Sequence, residues 1–267
     1  KFLTHAALAC LLCGVACGMI GTYVVCRRLV FLSGGITHAS FGGIGMAYYF
    51  GANPLLGALL FAVLSALGIE TFTARKQIRE DSAIGLLWSL GMAIGIIFIY
   101  LTPGYAPNLM SFLFGNILSV TGTDIFWMGV VDLAILLIFG TMYHPILFVA
   151  FDREYARSQN FPTRTISYLM ATLVAGTIVI SIRVVGIVLL ISLLTIPAVI
   201  GNLISKSFGR ILLYGSVIAA LSAFAGLYIS YQTNIPSGAS TIFVLTVTLI
   251  AVKTITFVRL KRRMKTR

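Results

Sequence analysis

Apolar residues in this chain are gathered into long stretches, and nine of them approach the roughly 20 residues a helix needs to cross a bilayer. The predicted spans are Leu3 to Val25, Ile36 to Ala52, Leu55 to Ala74, Ala83 to Leu101 and Asp124 to Phe148, then Thr165 to Ile182, Val185 to Ile204, Ile211 to Tyr231 and Ala239 to Val258. Gly104 to Val120 is apolar as well, but Pro103, Pro107, Gly115 and Asn116 make it a re-entrant or interfacial piece. A tenth span there would invert every later loop. Glycine recurs inside the spans, where lipid-embedded helices use small residues to bring backbones together. The pattern predicts an all-α, polytopic membrane bundle forming a single domain over 1–267.

Charge sorts the loops. Arg27 and Arg28 follow span one, Arg75, Lys76 and Arg79 span three, and Arg153, Arg157 and Arg164 span five. Lys206 and Arg210 follow span seven, and a basic tail over 259–267, from Arg259 to Arg267, follows span nine. The loops around Asn53, Gly104 to Asn108 and Gln232 to Ser237 carry no Lys or Arg, and Arg183 alone breaks the alternation. The positive-inside rule then puts the N-terminus outside and the C-terminus in the cytoplasm. The first run lacks a basic lead-in and an obvious A-x-A site, so it reads as a span and not as a cleaved signal.

Composition agrees: 59% apolar and 10% charged residues, with a mean hydropathy of +1.02, leave too little polar surface for a water-soluble fold. The net charge of +12 is a topology and lipid-headgroup signature, not a nucleic-acid one. Cys10, Cys13 and Cys17 share one face of span one at spacings of three and four, with Cys26 beyond. They read as small packing residues.

Ionisable groups at bilayer depth cost roughly 2.5–3.5 kcal/mol on insertion scales, so each one invites a functional reading. Of the seven acids (Glu70, Glu80, Asp81, Asp124, Asp132, Asp152 and Glu154), only Asp132 sits clearly inward, about 12 Å along its helix from Asp124. His5 and His144 read as interfacial. His38 differs: it lies in the glycine-dense stretch Ser33 to Gly45, with Gly34, Gly42 and Gly45 on its own helix face. Such a face lets a partner backbone or an ion approach the ring nitrogen. There is no P-loop, H-E-x-x-H or G-x-S-x-G sequence, so no ATP site or hydrolytic centre of those kinds is expected, and no enzyme activity.

Several segments then fall into a set. Arg27-Arg28-Leu29 and Ser33 to His38 look like an R-R-x segment followed by G-D-x-[IL]-[SA]-H, and Asp81 to Gly85 like D-x-A-I-G. Leu113 to Leu118 matches L-F-G-[NS]-I-L, and Phe151 to Ala156 with Pro162 matches F-D-x-x-x-A-x-x-x-G-x-P. Arg183 to Gly186, Leu189, and Leu193 to Ala198 with Pro197 resemble R-x-V-G-x-L-L-x-x-x-L-L-x-x-P-A, and Pro236 to Gly238 a closing P-[TS]-G. Together, along nearly the whole chain, they resemble the permease subunits of the zinc/manganese/iron ABC importer family.

That resemblance implies a vitamin-B12-importer-like permease in the bacterial cytoplasmic membrane, a homodimer with a cytoplasmic ABC ATPase on each copy. It implies an extracytoplasmic metal-binding protein as donor, a divalent metal ion as cargo, and no permanently bound cofactor. Alternating access would carry the ion. His38 and Asp132 become metal-pathway candidates, and Gly34, Gly42, Gly45, Gly186 and Pro197 helix-packing positions. The segment over 150–164 becomes the coupling element, with Asp152, Glu154 and Ala156 meeting the ATPase. Two positions depart from the family pattern: Gly34 stands where the family has Asp, and Asn160 where it has glycine. The missing carboxylate favours zinc or ferrous iron over the harder manganese ion. A related importer of a metal chelate, and an ATP-independent carrier, are the competing expectations.

Overall fold

A computed structural model describes residues 2–74, 79–103 and 109–265. Arg75 and Lys76, the Gly104 to Asn108 loop with Pro107, and Arg267 lie outside the described residues. Among the described residues all regular structure is helical. The long helices are α1 (Phe2–Cys26), α2 (Val30–Tyr49), α3 (Pro54–Ala74), α4 (Glu80–Leu101), α6 (Gly122–Thr141), α9 (Thr163–Val185), α10 (Leu190–Ile204), α11 (Phe208–Thr233) and α12 (Ser237–Lys265). Three short ones, α5 (Leu109–Phe114), α7 (Tyr143–Phe151) and α8 (Arg153–Ser158), join them with a 3-10 turn at Ile117–Ser119.

Among the described residues, seven helices are long and apolar enough to cross a membrane: α1, α3, α4, α6, α9, α11 and α12. The other two predicted spans fall on α2 and α10. The first is 20 residues long and rich in glycine, serine and threonine; the second has 15 residues, about 22 Å of helix against a hydrocarbon core of about 30 Å. α1 and α9 are the centre of the bundle, with 67% of their most apolar windows buried, whereas α4 at 17% and α12 at 11% are peripheral.

Three predicted spans are redrawn, and the one expected over Ile36 to Ala52 is α2, which opens earlier, at Val30, and ends at Tyr49. Asp124 to Phe148 is not one helix, because it breaks at Met142 (φ −116°, ψ 29°), which ends α6 and opens α7. Pro145 occupies the first turn of α7, where its missing N–H is harmless, but its ring excludes straight continuation from α6. Val185 to Ile204 likewise starts late: α9 runs on to Val185, Gly186 caps it, and α10 opens only at Leu190. The predicted re-entrant piece is α5 plus the 3-10 turn, and α5 has six residues, far short of a crossing.

Glycine sets the closest helix approaches. A Cβ on Gly42 would stand 2.8 Å from the Gly91 carbonyl oxygen of α4, and one on Gly45 would strike the Gly95 carbonyl. Gly43 and Gly57 oppose each other's carbonyls between α2 and α3. Cys10, Cys13 and Cys17 are fully buried free thiols in the core, as small packing residues would be. Pro197, also buried, lies inside α10; without its N–H the Leu193 carbonyl loses its helical partner, one residue from where Gly21 of α1 lies against the Leu194 carbonyl.

Candidate functional site

His38 is half-buried on α2, and its ring stacks on Trp88 of α4 at 4.3 Å with the planes 8° apart. Its Nδ1 is buried and has no hydrogen-bond partner. A flat aromatic support fixes the imidazole's orientation while leaving a ring nitrogen uncommitted, and an uncommitted imidazole nitrogen suits a borderline divalent cation. Sequence reasoning missed Trp88. Its signal was available, since tryptophan usually sits at a membrane interface and this one lies mid-span.

Gly34 lies one turn before His38. A Cβ there would stand 2.9 Å from Ile191 Cδ1 of α10 and 3.4 Å from Trp88 Cζ3. The position where the resemblance expects a carboxylate is therefore covered by apolar side chains, and His38 has no acidic neighbour on its own turn.

Asp132, on the inner stripe of α6, is 4% exposed, and neither carboxylate oxygen has a partner. α6 packs on α1 and α9, where Cys17 Sγ lies 3.3 Å from Ser181 Oγ and the buried Thr177 Oγ1 is also unpartnered. The two pathway candidates are thus on different helix groups: His38 between α2 and α4, Asp132 beside α1 and α9. Among the described residues no cluster of three His, Cys, Asp or Glu side chains could hold a metal ion.

The predicted coupling segment is a capped helical turn. Asp152 Oδ1 accepts from the amides of Glu154 (3.0 Å) and Tyr155 (2.9 Å), so this carboxylate opens α8. Ala156 is fully buried and packs α8 onto the bundle, leaving Glu154 exposed beside Tyr155 and Arg157. Asn160, the departure from glycine, has φ +59°, a left-handed conformation that asparagine tolerates better than most residues. The exchange keeps the turn.

Arg153 anchors this turn by donating to Glu70 of α3 and to Ser167 of α9. Arg27, which donates to Tyr23 Oη at 3.0 Å, stands 3.9 Å from the same Glu70, whose side chain is 6% exposed. Glu70→Ala is therefore expected to destabilise the protein by about 3 kcal/mol, because two arginines lose their shared counter-charge at a buried position. Thermal unfolding in detergent measures it. Glu70→Asp, which keeps the charge, should recover part of the loss.

At the opposite end three motif segments interlock. The Asn116 amide donates to the Arg183 carbonyl (2.9 Å), while the Ile187 and Val188 amides donate to Phe112 (2.9 Å) and Leu113 (3.1 Å). Ser237 Oγ accepts from the Ile117 amide at 3.4 Å, and a Cβ on Gly238 would strike the Val185 carbonyl. Arg183, the exception to the loop charges, donates from Nη1 to Asp124 Oδ2 at 2.9 Å. Asp124 completes a capping box with Thr121 at the start of α6. Arg183 is thus a structural ion-pair residue, which is why its charge does not follow the loop pattern.

The chain is 38% identical over 244 residues to an uncharacterized membrane protein of Synechocystis, covering 91% of this chain and 87% of that one. It is 34% identical to the manganese transport system membrane protein MntC of Halalkalibacterium halodurans, over 91% of this chain and 84% of that one. In three dimensions it matches a chain of PsaBC from Streptococcus pneumoniae in complex with Fab, with a TM-score of 0.84 and 28% identity over 94% of this chain and 91% of that chain. The ABC 3 transport family matches residues 1–256. With its apolar helices, its glycine crossings and this family match over nearly its whole length, the chain is a multi-pass membrane protein that belongs to the ABC 3 transport family.

Proposed function

We propose that this chain is the permease of an ATP-driven importer that moves a divalent transition-metal ion across the cytoplasmic membrane by alternating access. The observation that carries the ion is His38: a half-buried imidazole, held by Trp88, with a buried Nδ1 free of any hydrogen bond. The family and the relative named for manganese transport support the same class. The apolar cover at Gly34 favours an ion content with imidazole, zinc or ferrous iron, over manganese. Asp132, an unpaired carboxylate inside the bundle, is a second pathway residue on this reading.

In this arrangement α2 and α10 complete nine spans, the N-terminus is outside, and the end bearing Arg27, Arg153 and α8 faces the cytoplasm. Two copies assemble in a vitamin-B12-importer-like permease, with lipid and the second copy taking the apolar faces of α4 and α12. A separate ABC ATPase docks on the exposed face of α8 through Glu154, and an extracytoplasmic binding protein delivers the ion. Nucleotide-driven closure of the ATPases moves the ion only if it binds the outward and inward states with different affinity.

The test is reconstitution with the cognate ATPase in proteoliposomes, measuring uptake of Zn²⁺, Fe²⁺ and Mn²⁺ with and without ATP. ATP-dependent uptake, with Zn²⁺ or Fe²⁺ preferred, is the expected result. Uptake that ignores ATP, or a complex that moves a chelate and refuses the free ion, overturns the proposal.

A further inference from the structure

At the end of the bundle where α3 finishes and α9 begins, a cavity of about 320 Å³ is lined by Glu70, Ala74, Arg153, Arg157, Thr163 and Arg164. Three of these six described residues are arginines, and their charges are not equally satisfied. Arg153 is neutralised by Glu70. Arg157 has no carboxylate partner among the described residues, and its Nε donates only to Thr163 Oγ1 at 3.4 Å. Arg164 likewise has none; its guanidinium lies 5.8 Å from the centre of the Tyr168 ring, whose hydroxyl is 2.9 Å from Thr71 Oγ1. Both side chains belong to exposed residues, so their donors are reachable from outside the bundle.

The cavity therefore offers two guanidinium groups without a carboxylate partner and a hydroxyl, with the single acid among its described lining residues already engaged by Arg153 and approached by Arg27. A planar guanidinium can donate two parallel hydrogen bonds to two oxygens of a tetrahedral phosphate. The place is equally informative: Ala74 ends one membrane-crossing helix and Thr163 begins another, which is the depth of lipid headgroups. The geometry points to an oxyanion site for a phosphate group, supplied by an anionic phospholipid whose headgroup enters between α3, α8 and α9 and is held by Arg157, Arg164 and Thr163. The inference needs only the membrane setting and not the transported ion, so binding without transport, or transport without binding, separates its fate from that of the proposed function.

Native mass spectrometry of the full chain, titrated with phosphatidylglycerol and with phosphatidylcholine, tests it. The expected result is a high-affinity adduct with phosphatidylglycerol alone, weakened about thirtyfold in R157Q/R164Q and only partly recovered in R157K/R164K, which keeps the charges but not the paired donors. Inorganic phosphate that displaces the adduct and is itself retained would assign the oxyanion site to free phosphate and overturn the lipid assignment. Equal phosphatidylglycerol binding by wild type and R157Q/R164Q overturns the site. Should the double variant fail to fold, peptide mapping of phenylglyoxal modification decides on the wild type: phosphatidylglycerol must protect Arg157 and Arg164, and unchanged labelling refutes the proposal.

Discussion

Gly186→Ala is expected to cost about 3 kcal/mol or more and to leave little folded protein in the membrane. Gly186 has φ +87° and ψ 160°, a region open essentially to glycine alone. Space forbids the change as well, because a Cβ would overlap the Gly115 amide nitrogen and the Leu113 carbonyl oxygen. No rotamer relieves such a clash, since the obstructing atoms belong to the backbone and the Leu113 oxygen is already held by the Val188 amide. Size-exclusion profiles and thermal unfolding of the detergent-extracted variant measure the loss. A Gly186→Ala protein as stable as wild type would mean that the Gly115–Gly186 crossing does not exist in the membrane.

His38→Ala is expected to reduce metal uptake by on the order of 100-fold while leaving assembly with the ATPase unchanged. The fold can absorb the loss: the ring is half-buried, its Nδ1 is unpaired, and its stacking on Trp88 contributes only about 0.5–1.5 kcal/mol. Trp88→Leu should fall between, since it frees the imidazole to turn without removing it. Uptake assays in proteoliposomes, beside co-purification of the ATPase, read both halves of the prediction. Normal uptake by His38→Ala would remove this histidine from the pathway.

How much of this was legible depends on what each feature answers to. Span positions follow from local apolar composition, so α1, α3, α4, α6, α9, α11 and α12 fall where the sequence pattern places them. Gly42 and Gly45 were legible for a related reason: helical spacing puts them on one face, and α4 meets that face with Gly91 and Gly95. The break at Met142 and the late start of α10 were not, because apolar residues continue through both while backbone geometry and remote pairing end the helices. Arg183 looked like a misplaced loop charge because its partner, Asp124, lies 59 residues away. Glu70 looked like a boundary acid, and only the fold brings Arg27 and Arg153 to it. At the candidate site, His38 stood out through its glycine surroundings, whereas Trp88 and the Ile191 cover at Gly34 depend on how α4 and α10 cross α2.

The interlocked segments around Gly115, Gly186 and Gly238 also constrain the order in which the chain can mature. Their partners emerge from the ribosome far apart, with the Ile117 amide waiting for the Ser237 hydroxyl 120 residues later. Until residues 183–188 arrive, the Phe112 and Leu113 carbonyls lack their donors and the Asn116 amide its acceptor, and the Ile117 amide stays unpaired until Ser237 follows, a costly state beside a bilayer. This end of the molecule therefore cannot close until α12 begins to emerge. A nascent chain stalled before Pro236 would expose an unsealed seam to proteases and quality-control machinery, even with most of its helices already inserted.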